Sequence, residues 1–241
     1  TEVIGRVPFF GGSAADNTIA GEWLLYTDEN VYADGISVAF FYTDKAFANV
    51  FTGAYRETTN AGAITKIVGD RTLAEINGVS ALEQYRAWTG ASAEDVKGGN
   101  LLAYAIQKPL GVKDPLGDLI AVRHPMNGND DGSMNIGNNL AVGTAVIQLE
   151  ASVDELIASV GKTLKELEAR IGAPIAGLHL VHCGGRRAGI GDRIPEVYDQ
   201  VKAAVGDVPF IMEYTFGEYG YEDDGRNTCG GLMLSFTAFG K

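Results

Sequence analysis

The abundance of glycine is the feature that most limits the fold. The sequence has 32 glycines among 241 residues, which is roughly twice the average share of about 7%. They follow no collagen-like period, and they interrupt runs that are rich in aromatic and β-branched residues. Because glycine admits the backbone conformations of tight turns, this pattern predicts many short strands joined by such turns.

Composition and charge exclude several classes of protein. With 46% hydrophobic residues, most of the chain is predicted to fold. The 19 basic and 31 acidic residues give a net charge of −12 without a basic run, which disfavours a nucleic-acid or membrane-surface partner. Without an apolar run of about 18 residues or a signal-peptide pattern, we expect a cytoplasmic chain whose Cys183 and Cys229 are reduced thiols.

The first third is predicted to be β-rich. Candidate strands comprise residues 23–26, 36–42, 47–55, 64–68 and 72–76, with the last two forming a hairpin around Gly69-Asp70. The first residues run quickly into an apolar segment without an initiator methionine, which suggests that the sequence begins inside a domain.

The rest of the chain mixes helices and strands. Ser80 with Glu83, and Ser152 with Glu155, have capping-box spacing and predict helices that end at Gly90 and Gly172. Another helix begins near Pro195, and Ser92 is a candidate cap for a short helix. Strands are predicted over residues 119–123, 145–149, 176–183, 208–213 and 232–239. The fold class is therefore α/β (mixed α+β), with layered mixed sheets and packed helices, and the predicted domains are residues 1–78 and 79–241.

Two glycine-rich stretches lack the known catalytic and nucleotide-binding motifs. The segment around Ser13 lacks the second glycine of a nucleophile elbow, which disfavours a hydrolase serine there. Residues 184–191 follow a strand but have neither a P-loop ending nor a dinucleotide-binding register. Their amides still suggest an anion-binding nest in which Arg186 or Arg187 grips a carboxylate. The alternative is a turn with two solvated arginines.

Histidines and the N-terminus suggest two further chemistries. His179 and His182 lie three apart on a predicted strand, so they face opposite sides and do not share a metal. No metal site is predicted, but His124 is the candidate ligand if the cofactor is haem. Thr1 is a candidate catalytic nucleophile that uses its own α-amine as base, as in self-processing amidohydrolases. The alternative reading of Thr1 is a boundary left by proteolysis or cloning.

Several motifs together resemble the FIST family, named for F-box and intracellular signal transduction proteins. Residues 7–16 resemble the strand and Gly-Gly-Ser-Ala-Gly-Asp turn of the family's N-terminal domain, and residues 32–39 the segment after it. Six further stretches resemble the family's C-terminal domain: residues 77–85, 109–112, 122–126, 183–187, 214–218 and 227–228. Ala15 and His182 depart from the family pattern, and the first half of its N-terminal domain has no counterpart.

The resemblance implies a non-catalytic sensor of small molecules, such as amino acids or their derivatives. The output would pass to a separate signalling protein or to a segment upstream of Thr1, and some family members are haem sensors of nitric oxide. The expected ligand-binding residues are Gly11, Gly12, Ser13, Cys183, Arg186, Tyr214, Gly217, Glu218 and Asn227. Arg186 would hold a carboxylate and Glu218 an ammonium group, among aromatic residues. Alternatively, Glu218 pairs with an arginine and Asn227 caps a turn.

Overall fold

The computed structural model describes residues 5–113, 119–222 and 225–241. Its strands are β1 (Gly11–Gly12), β2 (Leu25–Tyr26), β3 (Val31–Tyr32), β4 (Phe47–Thr52), β5 (Arg56–Val68), β6 (Thr72–Ile76), β7 (Val79–Ser80), β8 (Leu110–Lys113), β9 (Ile120–Arg123), β10 (Pro125–Gly128), β11 (Met134–Ile136), β12 (Ala145–Glu150), β13 (Ile175–Cys183), β14 (Phe210–Thr215), β15 (Glu218–Tyr221), β16 (Asn227–Gly230) and β17 (Leu234–Gly240). Its helices are α1 (Ala81–Thr89), α2 (Asn100–Ala105), α3 (Val153–Ile171), α4 (Gly184–Ile190) and α5 (Pro195–Val205). The predicted mixed α/β class is confirmed.

Two larger sheets organise these elements. The eight-stranded sheet has the order β10-β11-β6-β5-β12-β8-β9, with β7 beside β6, and its described pairings are antiparallel. The four-stranded sheet has the order β14-β13-β17-β4. Strands from before and after residue 78 pair within both sheets. The division into domains at residues 77–80 stays a prediction.

The four-stranded sheet contains a parallel pair, β13 and β14, which α4 and α5 connect. Helices α3 and α5 contact each other, and α3 packs on β17 and β4. Leu180, Phe236 and Val50 lie side by side across three strands and are buried in this core. The carboxyl ends of β13 and β14 therefore meet at one edge of a sheet that a buried apolar layer holds in place.

The predicted helix after Ser152 is confirmed as α3. The Ser152 hydroxyl accepts from the Glu155 amide at 3.2 Å, and the Glu155 carboxylate accepts from the Ser152 amide at 2.8 Å. Gly172 ends the helix with a left-handed φ of 59°. The predicted apolar stripe is buried: Leu156, Ile157, Val160, Leu164, Leu167 and Ile171. None of the helices in the described ranges is long and apolar enough to cross a membrane.

Four local predictions differ from the structure. Residues 36–42 form no strand, because they have no neighbouring strand to pair with in the described chain, and of the predicted strand 23–26 only Leu25–Tyr26 pairs, with β3. Residues 93–96 form a turn rather than a short helix. The stretch from Gly184 is a helix, α4, rather than a loop or turn, and its Arg186 and Ile190 face the interior.

Close packing explains the glycines of α4. A side chain at Gly185 would bring its Cβ within 2.7 Å of the Leu232 side chain, and one at Gly189 would overlap Ile106. These glycines therefore let the helix lie directly against the core, and they do not supply the flexible turn that the sequence suggested.

Candidate functional site

The candidate site lies where β13 and β14 end side by side, at Cys183 and Thr215. In open α/β sheets, ligands bind beyond the carboxyl ends of parallel strands. The segment after β1 crosses this edge, since the Ser13 amide donates to the Gly217 carbonyl at 2.8 Å and the Phe216 amide donates to the Ser13 carbonyl at 3.1 Å. The structure thus brings together parts of the chain that are some two hundred residues apart in sequence.

Two of the predicted glycines permit this close approach. A Cβ at Gly12 would overlap the Thr215 side chain, and one at Gly217 would lie 3.2 Å from the Ser13 hydroxyl. Gly11 has a φ of 140°, which side chains rarely adopt. These glycines therefore allow the segment after β1 to lie close to the strand ends, and the groups nearest to them are the side chains of Thr215 and Ser13.

Asn227 anchors the segment that leads into the site. Its Oδ1 accepts from the Phe9 amide at 2.7 Å, and its Nδ2 donates to the Val7 carbonyl at 2.8 Å. The side chain therefore holds the segment before β1 against β16 through these two hydrogen bonds. Asn227 thus has a structural role here, although a different one from the turn cap that the sequence suggested as the alternative.

Arg186 does not have the geometry that its expected role requires. The side chain is fully buried and donates to the Gly53 carbonyl at 2.6 Å, the Leu156 carbonyl at 3.2 Å and the Ser159 hydroxyl at 2.6 Å. A longer bond of 3.4 Å reaches the Leu232 carbonyl. Burial lowers the pKa of the guanidinium. Both terminal nitrogens of the guanidinium thus have protein acceptors, whereas Nε is buried without a hydrogen-bond partner among the described residues. Arg186 therefore supports the edge from beneath, and its terminal nitrogens are not free to form a fork with a ligand.

Glu218 is enclosed in the same way. It accepts from the Thr215 hydroxyl at 2.8 Å and from the Met233 amide at 2.9 Å, and no part of it is exposed. Burial raises the pKa of its carboxyl group to about 7. Because no part of Glu218 is exposed, a ligand ammonium could reach its carboxylate only if the segments that cover it moved.

Cys183 lies in the interior beside these groups. Its sulfur accepts from the Gly185 amide at 3.3 Å, and burial raises the pKa of the thiol above its usual range. A protonated, enclosed thiol is a poor nucleophile. Cys183 therefore contributes packing and a helix cap rather than thiolate chemistry.

The accessible groups at this edge are different residues. The guanidinium of the exposed Arg187 lies 5.4 Å from the centre of the Tyr214 ring, and the Ser13 hydroxyl bonds to the Tyr219 hydroxyl at 2.8 Å. Trp23 contacts Phe216 edge-on, with ring centres 6.4 Å apart. Sequence reasoning missed Trp23, and of the two arginines it chose Arg186 rather than Arg187 as the ligand-binding residue. Helical spacing was the available signal, because Arg186 shares a face with the apolar Ile190 and Arg187 does not.

Two surface clefts lie away from this edge. One of about 410 Å³ is formed by residues 52–57 with parts of β9 and β12, and one of about 350 Å³ lies between α1 and the turn that joins β10 to β11. Neither is lined by the nine expected ligand-binding residues. The first is bordered by Gly53, whose carbonyl accepts a hydrogen bond from Arg186.

The two strand histidines face opposite sides of β13. His179 is partly exposed, and its Nε2 lies 2.9 Å from the Glu213 carboxylate. His182 is fully buried, and its Nδ1 donates to the Cys183 carbonyl at 3.0 Å. Burial first, and then the charge of Arg186, lowers the pKa of His182 to about 3. Within the described part of the chain, no cluster of three metal-ligating side chains occurs.

His124 does not fit a haem ligand. Its imidazole lies between Gly137 and Gly231, and a Cβ on either glycine would overlap the ring. Nδ1 is buried without a hydrogen-bond partner among the described residues, and burial lowers the pKa of His124 to about 4. Gly137 lies against both ring nitrogens and Gly231 lies against Nδ1, so protein backbone occupies the space that a porphyrin would need beside either nitrogen. Thr1, the alternative catalytic residue, lies outside the described residues.

Comparisons with known proteins agree with the motifs. A family model described as the FIST N domain matches residues 1–79, and one described as the FIST C domain matches residues 81–221. Neither the curated proteins nor the solved structures gave a match. The two family models together span most of the chain.

Proposed function

Because the chain belongs to the FIST family, whose domains serve in sensing and signal transduction, we propose that it binds a small carboxylate-bearing metabolite. The proposed ligand is an amino acid or a related molecule. Its site is the edge where β13 and β14 end, and the response passes to a signalling partner protein.

The observation that carries this proposal is the pairing of Arg187 with Tyr214. An exposed guanidinium beside an aromatic ring offers both a fork for a carboxylate and a flat surface for the rest of a small molecule. Phe216 and Trp23 extend the aromatic surface at this edge. The linked hydroxyls of Ser13 and Tyr219 add hydrogen-bonding groups that accept or donate.

The remaining expected residues have a positioning role in this proposal. Arg186 ties α4 to Gly53 in the turn between β4 and β5 and to α3, while Glu218 ties the end of β14 to the segment before β17. A ligand that moves the exposed edge would therefore strain buried hydrogen bonds on several elements. Through these hydrogen bonds, ligand binding would change the positions of elements away from the site.

Thermal unfolding in the presence of single amino acids tests the proposal. At a ligand concentration about one hundred times its dissociation constant, binding stabilises the native state by about 2.7 kcal/mol. We expect at least one amino acid to raise the melting temperature, and Arg187→Ala to abolish the rise. The matched control is Arg71→Ala, which removes another exposed arginine, on the turn between β5 and β6.

Loss of the shift in both arginine variants would point to general charge effects and contradict the assigned site. A folded protein whose melting temperature is unchanged by the whole amino-acid panel would contradict the assigned ligand class. Retention of the shift in Arg187→Ala would move the site away from α4.

A further inference from the structure

Glu218 is an enclosed carboxyl group beneath the proposed ligand-binding edge. It pairs with Gly12 in the ladder of β1 and β15, and the Gly12 backbone lies against the Thr215 side chain. The two carboxyl oxygens of Glu218 accept from the Thr215 hydroxyl and from the Met233 amide. The Cys183 thiol also forms a hydrogen bond with this group. One carboxyl group therefore joins the ends of both parallel strands to the segment before β17.

The surroundings of Glu218 contain few charged groups. Those that face it are the Cys183 thiol of β13, the Arg186 guanidinium of α4 and the Tyr55 phenol after β4. Strands β1, β4 and β17 and residues 230–233 carry no titratable side chain. Arg186 directs its terminal N–H groups to carbonyls and a hydroxyl elsewhere in the described structure. Because an enclosed carboxylate without a paired cation is unfavourable, burial raises the pKa of Glu218 to about 7.

The segment that covers Glu218 is held by few hydrogen bonds. Strand β1 has two residues, and in the described sheets it pairs with β15 alone. After it, two backbone bonds of 2.8 Å and 3.1 Å join Ser13 to residues 216 and 217. Lifting β1 and Ser13 therefore breaks little structure, and the four-stranded sheet stays folded beneath them.

The face of the sheet that β1 covers includes Cys183. Cys183 and Thr215 are paired across β13 and β14, so their side chains lie on the same face, against which Gly12 packs. His182 points to the opposite face of β13 and keeps its cover when β1 lifts. Opening of this edge therefore admits solvent to Glu218 and Cys183 together.

We propose that Glu218 makes the ligand-binding edge sensitive to pH: while its carboxyl group is protonated, β1 and Ser13 stay closed over the strand ends, and loss of the proton to solvent favours opening. The inference names a regulation of the site given under the proposed function and rests on that function for its biological meaning. Its test needs no ligand, so the two proposals fail separately.

The direction of the effect follows from where the proton is held. In the closed form Glu218 keeps its proton up to about pH 7, whereas after opening it has its ordinary pKa of 4.5. Between these values opening releases one proton, so the ratio of open to closed protein rises about tenfold per pH unit. Above about pH 7 the carboxyl group is ionised in both forms and the ratio levels. A ligand that needs the closed edge therefore binds more tightly as the pH falls through this window.

Labelling of the two cysteines with N-ethylmaleimide, from about pH 5 to about pH 8, tests the proposal. Cys229 is exposed and reports the ordinary reactivity of a thiol at each pH, whereas the enclosed Cys183 reacts from the open form. Mass spectrometry of the digested protein gives both rate constants. We expect the ratio of the Cys183 rate to the Cys229 rate to rise about tenfold per unit up to about pH 7 and then to level. Urea well below the unfolding transition should leave this ratio nearly unchanged, because local opening exposes little surface.

Glu218→Gln is the test variant, and Glu213→Gln, which removes an exposed carboxylate on β14, is its matched control. Glutamine does not titrate, so the labelling ratio should be independent of pH in Glu218→Gln, while the control should keep the wild-type rise. Thr215→Val removes a hydroxyl that donates to the ionised carboxyl group and lowers its pKa. In this variant the ratio should level at a higher pH than in the wild type.

Three results would each overturn the proposal: a wild-type ratio that does not change with pH, a rise that persists in Glu218→Gln, or Cys183 labelling that depends steeply on urea. If Glu218→Gln does not fold, the wild-type profile and its shift in Thr215→Val decide the question. A ligand screen without any thermal shift would contradict the proposed function and leave the labelling result as it stands.

Discussion

Alanine at position 186 is expected to lower the free energy of unfolding by about 3 kcal/mol. Arg186 has the largest fully buried side chain of the described residues, and its removal leaves a cavity. The guanidinium donates to the Gly53 carbonyl and the Ser159 hydroxyl at 2.6 Å, and the substitution leaves both acceptors without these hydrogen bonds. Urea unfolding at fixed pH measures this loss.

The neighbouring arginine is the matched control. Arg187 is exposed, so Arg187→Ala should change the free energy of unfolding by no more than about 0.5 kcal/mol. Arg186→Met keeps much of the side-chain volume and separates the cavity from the lost hydrogen bonds. If Arg186→Ala unfolded like the wild type but failed to bind ligand, Arg186 would hold the ligand directly, as the sequence had suggested.

Local signals in the sequence were sufficient to predict secondary structure where a segment's own residues determine it. Ser152, Glu155 and Gly172 specify both ends of α3, and the apolar stripe between them specifies the buried face. The helix between Ser80 and Gly90 follows from similar signals. Here capping, periodicity and burial agree, so the sequence alone predicts type, bounds and orientation.

Local sequence signals did not predict the structure where contacts with distant parts of the chain determine it. Residues 36–42 have strand-forming composition, but a strand also needs a neighbour, which no local pattern supplies. The candidate site shows the same limit. The sequence predicts Gly12, Ser13 and Gly217 as ligand-binding residues, but their contact with one another across the sheet edge has no local signal. The burial of Arg186 likewise depends on Gly53, which is 133 residues away in sequence.

Between pH 4.5 and 6.5, two buried groups are expected to change stability in opposite directions. The pKa of His182 is lowered to about 3, so the unfolded chain takes up this proton below about pH 6.5 and the folded chain does not. Stability from His182 is therefore lost as the pH falls. The pKa of Glu218 is raised to about 7, so its contribution is complete below about pH 4.5 and is lost as the pH rises.

Each contribution changes by about 3 kcal/mol over this window, at about 1.4 kcal/mol per pH unit. The two nearly cancel in the wild type, and single variants should separate them. In Glu218→Gln only the histidine titrates, so this variant should lose stability as the pH falls. In His182→Asn only the carboxyl group titrates, so this variant should gain stability as the pH falls. Urea unfolding across the window measures both slopes relative to the wild type. Parallel profiles would show that these groups ionise freely in the folded protein, and would contradict the burial that the site assigns to them.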